Sequence, residues 1–166
     1  MKKAQLEQPF VIIFGVIVMA FLLILGGYVI RRSLTLGTSV EYNTFYNQLS
    51  KEAENCYNLD FGSTCDLSKM KVPGNLFEIC FINIEEPINY KNIPGSLNQT
   101  IANSIRLNRK DNVFSIGLNN QDKKSFFIGK LKAISNPICY RLSSRKLNLL
   151  LENKGNHVEV RNAQSA

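Results

Sequence analysis

Between Glu7 and Arg31 the chain carries no charge: Gln8, Pro9 and Phe10 lead into the run VIIFGVIVMAFLLILGGYVI. An α-helix rises ~1.5 Å per residue, so the roughly 21 residues from Phe10 to Ile30 cover about 30 Å, the thickness of a bilayer's hydrocarbon core. A cleaved signal peptide has a shorter apolar run, about 7 to 15 residues, and ends in small residues, whereas this one runs into Arg31 and Arg32. The pattern predicts a short basic leader over residues 1–8 and an uncleaved transmembrane helix over 9–32. Pro9 stands where a first helical turn accepts proline, with Glu7 near the positive end of the helix dipole. Gly15, Gly26 and Gly27 lack the GxxxG spacing of a helix dimer face.

Beyond Arg32, Gly37 interrupts the sequence as a soft joint, and a second helical pattern follows. Val40, Phe45, Leu49, Ala53 and Cys56 recur at near-helical spacing among polar residues, which predicts an amphipathic helix over about 39–57. From Asp60 the pattern changes to short apolar runs between turn residues. Pro73-Gly74 precedes the strand-like LFEICFINI, and NVFSIGL, KSFFIGKLKAI and ICYRL also read as strands. KLNLLLENKGNHVEVRN reads as a hairpin that turns at Asn153-Lys154-Gly155-Asn156. One helix is expected among them, over about 96–109, with Ser96 as its cap and Leu97, Ile101 and Ile105 on one face. The layout is α+β: a long N-terminal helix, one half in the membrane and one half amphipathic, packed on a mostly antiparallel sheet. Residues 33–166 are long enough for one globular domain.

Cys56, Cys65, Cys80 and Cys139 all follow the apolar run. An even number after a membrane segment suits two disulfides in an oxidising space. Zinc fits less well, because no pair has C-x₂₋₄-C spacing, and buried free thiols are the other alternative. Of the three connectivities, Cys56 with Cys65 closes a short loop, and Cys80 with Cys139 joins two strands that can lie side by side.

The formal net charge is +7, from 20 basic and 13 acidic residues. Setting aside Lys2, Lys3, Arg31, Arg32 and Glu7, which belong to the membrane flanks, leaves 16 basic against 12 acidic residues. So small a surplus reads as a solvated surface, and nucleic acid is not the expected partner. Lys2-Lys3 and Arg31-Arg32 balance across the membrane, so the positive-inside rule gives no orientation. The cysteines and the sequon Asn98-Gln99-Thr100, with Asn98 as glycosylation candidate, favour a cytoplasmic N-terminus and an extracellular C-terminal domain in the cell membrane.

Catalysis finds no foothold: there is no GxSxG, HExxH, GxxxxGK[ST] or GxGxxG, and no cofactor or metal is expected. His157 is the single histidine and reads as an exposed strand residue. Glu85 and Glu86, adjacent on a strand, would face opposite ways. Arg106, Arg109 and Lys110 read as a helix's polar face and end. Lys123-Lys124 and Arg141-Leu142-Ser143-Ser144-Arg145-Lys146 lie near Phe126, Phe127 and Tyr140, the mixture that binds single-stranded nucleic acid, although strand aromatics are usually core.

The start, Met1-Lys2-Lys3-Ala4-Gln5-Leu6-Glu7-Gln8-Pro9-Phe10 before a membrane-length apolar run, resembles the class III signal of archaeal type IV pilin-like proteins. The resemblance covers roughly 30 residues. It implies cleavage between Ala4 and Gln5 by a prepilin peptidase, an apolar helix that bundles with like subunits in a filament core, and an outward-facing C-terminal domain. Family members often carry Gly where Ala4 stands. They also carry at the fifth mature position, here Pro9, the glutamate that pairs with a neighbouring subunit's N-terminus, and in this chain the acid is Glu7. The expected function is a membrane-anchored, pilin-like cell-surface structural or interaction protein, with the lipid bilayer and possible like subunits as partners. The alternative is a non-assembling envelope module that binds a ligand or nucleic acid.

Overall fold

The first element is one helix, α1 (Glu7–Tyr57), whose helical assignment runs through Gly37. A glycine inside a helix costs about 1 kcal/mol relative to alanine, which weakens a long helix without ending it. The computed structural model describes residues 7–118, 122–142 and 146–163. The chain divides into two compact units, residues 1–41 and 42–166. Each is described by itself below.

The second unit is α+β. After α1 come β1 (Thr64–Asp66), β2 (Leu76–Phe81), a 3₁₀ turn (Tyr90–Asn92), α2 (Gly95–Arg106), β3 (Val113–Gly117), β4 (Lys124–Phe126), β5 (Leu131–Ala133), β6 (Ile138–Arg141), β7 (Leu149–Asn153) and β8 (Val158–Asn162). These strands make two four-stranded sheets, in the orders β1-β7-β8-β5 and β4-β3-β2-β6, where a single sheet was expected. All pairings are antiparallel except β5 with β8, which is parallel.

Two apolar layers hold the unit together. In the first, Tyr42, Phe45, Tyr46, Leu49, Ala53 and Cys56 of α1 pack with Ile79, Phe81 and Val113 of one sheet and Leu149, Leu151, Val158 and Val160 of the other. The second lies on the opposite face of β2 and β3, where Cys80, Ile82, Phe114 and Ile116 meet Leu97 and Ile101 of α2. Strand alternation explains the division: successive side chains of β2 and β3 point to opposite faces, and both faces are covered. The buried stripe of α1 differs from the expected one at its start. Val40 is 62% exposed, and Tyr42 and Tyr46 take the inward positions.

Three further expectations are corrected. KSFFIGKLKAI forms two strands in different sheets, because the chain turns at Gly129 and Lys130, the latter at φ 61°. Asn112 bridges the break: its amide nitrogen donates to the carbonyls of Ile128 and Leu131, and its oxygen accepts from the Ile128 N–H. Ser96 does not cap α2, whose N-cap is Pro94; its hydroxyl donates instead to Glu78, 3.0 Å away. Finally, α2 ends at Arg106, short of residue 109. Asn108 at φ 51° donates its N–H to the Ile105 carbonyl, and the Arg109 N–H reaches Ser104, a Schellman closure with asparagine in the left-handed position.

Candidate functional site

In the first unit, Val11–Arg32 is a 22-residue stretch of α1 with mean hydropathy 2.7 and no buried share. It is long and apolar enough to cross a membrane. Large side chains stand open all around it, among them Val11, Phe14, Met19, Leu23 and Ile30. A helix apolar on every side needs a protein interior or lipid around it, and an exposed apolar surface beyond a few hundred Å² marks an interaction site. A Cβ added at Gly15, Gly26 or Gly27 meets no atom within 4 Å, so no contact within the described residues requires glycine there.

Both cystines lie in the second unit. Cys56, in the last turn of α1, is bonded to Cys65 of β1, with Cα atoms 5.9 Å apart. Cys80 of β2 is bonded to Cys139 of β6, and the two residues are direct antiparallel partners with Cα atoms 4.1 Å apart. This is the connectivity chosen from the strand pattern. Near the first cystine the end of α1 is closed by a buried side chain. Asn153 donates its amide to the carbonyls of Tyr57 and Leu59 and accepts from the Gly155 N–H. Carbonyls in a helix's last turn lack intrahelical partners, and a buried amide from β7 supplies one.

The other sequence candidates are distributed as follows. Ala4 and Gln5 lie outside the described residues, and Glu7 opens α1 with its side chain outside them. Asn98 is exposed on α2. His157 is half-buried in the turn before β8, not on the strand, and its carbonyl accepts from the Lys154 N–H. Glu85 and Glu86 sit exposed in the turn after β2, so the strand geometry expected for them does not apply. Among the described residues no group of three His, Cys, Asp or Glu side chains is placed to hold a metal.

Among the described residues, two of the three aromatics near the basic runs pack against the core, as expected for strand aromatics. Phe126 stacks on Tyr46 at 3.9 Å between ring centroids and is partly buried against the core. Tyr140 packs against the same core, and burial pushes its phenol up to about 12. Phe127 alone is open, at 56%. Arg141 lies over the Phe77 ring, 4.9 Å from its centroid, and 3.9 Å from Glu78. Ser143, Ser144 and Arg145 lie outside the described residues. What the fold does assemble is a different cationic group. Arg109 and Lys110, beyond α2, meet Lys130 and Lys132 at the start of β5 around one cleft. No protein-family model, curated protein or solved structure matches the chain.

Proposed function

We propose that this chain is a membrane-anchored, pilin-like cell-surface protein with a structural or interaction role. It crosses the bilayer once, with its N-terminus in the cytoplasm and its second unit outside the cell. The observation that carries this reading is the apolar stretch Val11–Arg32, no part of which is buried. Water strongly disfavours such a surface, at ~25 cal/mol per Å² of apolar area, and lipid removes that cost. The two cystines support an external location, since disulfides persist in oxidising compartments. The leader with Ala4, Gln5 and Glu7 supports the pilin-like part.

The second reading is a non-assembling envelope binding module. Two features favour it: the displacement of the early acid to Glu7, with Pro9 in the family's glutamate position, and the cationic cleft of the second unit.

N-terminal sequencing of the protein recovered from membranes tests the pilin-like reading, which expects a start at Gln5. An intact Met1 or Lys2 removes that part of the proposal and leaves a plain anchor. Labelling intact cells with a membrane-impermeant maleimide tests the sidedness. The cysteines should react only after an impermeant reductant is added; no labelling of intact cells even after reduction, with labelling appearing once the cells are permeabilised, would place the second unit inside.

A further inference from the structure

We propose that the cleft between α2 and β5 binds a small soluble phosphate ester. Its volume is about 400 Å³. Small-molecule sites run from about 300 to 1,000 Å³, so it admits one compact ligand. Arg109, Lys110, Lys130 and Lys132 line it against a single carboxylate, Glu85. That carboxylate is already engaged, 3.6 Å from the Lys132 ammonium. Lys130 rests over the ring of Tyr57, outside the cleft lining, 3.4 Å from its centroid, a contact that brings no negative charge to the cluster. Arg109 and Lys110 are exposed and have no ion-pair partner among the described residues.

Charge density selects the anion. A phosphoryl group brings about 1.5 to 2 negative charges at neutral pH, so one or two of them balance a cluster that would require several carboxylates in the same space. Arg109 adds a planar fork suited to phosphate oxygens. The carbonyl end of α2 opposes an anion only weakly, because the N–H groups of Leu107, Asn108 and Arg109 already occupy carbonyls of its last turns.

A second, independent feature points to a ligand. Asn83 lines the cleft and is 6% exposed, yet its amide nitrogen has no hydrogen-bond partner. A buried donor left unpaired costs about 1–3 kcal/mol, and rotation of this amide towards an acceptor in the cleft relieves it. Beside Asn108 and Asn112 the wall also carries apolar side chains, among them Ile84 and the open ring of Phe127, which fits the ring or hydrocarbon part of an ester rather than inorganic phosphate alone. This inference does not depend on the membrane reading.

The test uses the full chain in detergent micelles, with a trinitrophenyl nucleoside triphosphate as fluorescent probe and inorganic pyrophosphate as competitor. Saturable binding displaced by pyrophosphate is expected. R109Q/K110Q should weaken it at least about tenfold, in line with the loss of charge-assisted hydrogen bonds, and Asn83→Leu should weaken it as well. K51Q/K71Q removes the same charge from exposed positions outside the cleft and should leave affinity within about twofold. No saturable binding, or equal weakening by R109Q/K110Q and K51Q/K71Q, would overturn the proposal.

Discussion

The hydroxyls of Tyr46 and Ser115 share a buried hydrogen bond, which ties the inward face of α1 to the middle of β3. Tyr46 also stacks on Phe126 of β4, and burial raises its phenol well above the ordinary range, which keeps the hydroxyl protonated as a partner. Ser115 is fully buried, and its hydroxyl is satisfied by Tyr46. Tyr46→Phe and Ser115→Ala should each destabilise the fold by about 1–3 kcal/mol, since each strands the other's hydroxyl. Combining them should cost less than the sum of the two, as a double-mutant cycle from urea unfolding will show.

Asn153 is the second polar anchor of the core. At 2% exposure it closes the end of α1 and fixes the β7–β8 turn through Gly155, which sits at φ 83°. Asn153→Ala leaves two carbonyls and one N–H without this partner, and should lower the unfolding free energy by about 2–4 kcal/mol. Asn153→Asp keeps the acceptor and loses both donors, so it should be no better tolerated. Urea midpoints at pH 7 compare the two.

Much of this architecture was legible because its signals are local. The apolar run, the α1 stripe around Phe45, Leu49 and Ala53, the Asn153–Asn156 turn and the pairing of ICF with ICY each follow from a short period or a turn residue. What escaped depends on distant partners. Asparagine is ordinarily a loop residue, so nothing local marks Asn112 or Asn153 as buried hubs that replace backbone bonding. The split of KSFFIGKLKAI depends on Asn112, and the parallel pairing of β5 with β8 depends on a strand far along the chain. Arg109 and Lys110 were visible as a helix end, but the cleft exists only because Lys130 and Lys132 are brought opposite them by the fold.

The cystines differ in the chain they close, with sequence separations of 9 for Cys56–Cys65 and 59 for Cys80–Cys139. Loop-closure entropy makes the longer cross-link worth about 1.5 kcal/mol more. The pair C80A/C139A should therefore lose more stability than C56A/C65A, as read from urea unfolding under non-reducing conditions. An equal or reversed order would show that packing at Cys56, not chain entropy, sets the difference.

Glu152 and Glu159 stand directly opposite each other on β7 and β8, a repulsive arrangement that Lys154 and Arg161 neutralise. The hydrogen bond from Lys154, with help from Arg161, holds the Glu152 carboxyl below its ordinary value of 4.5. The hydroxyl and N–H of Ser68 do the same for Asp66 below 3.8. Folded values below unfolded ones mean that this stabilisation is present above the ordinary carboxylate range and is lost as pH falls through the folded values. The urea midpoint should therefore drop as pH is lowered from 5 towards 2.5, and Glu152→Gln should make that drop shallower.

The account turns on Val11–Arg32 being held in lipid, and alkaline carbonate extraction of membranes containing the full-length protein tests it most directly. The protein should stay in the membrane pellet and be released only by detergent. Release into the aqueous supernatant without detergent would contradict it.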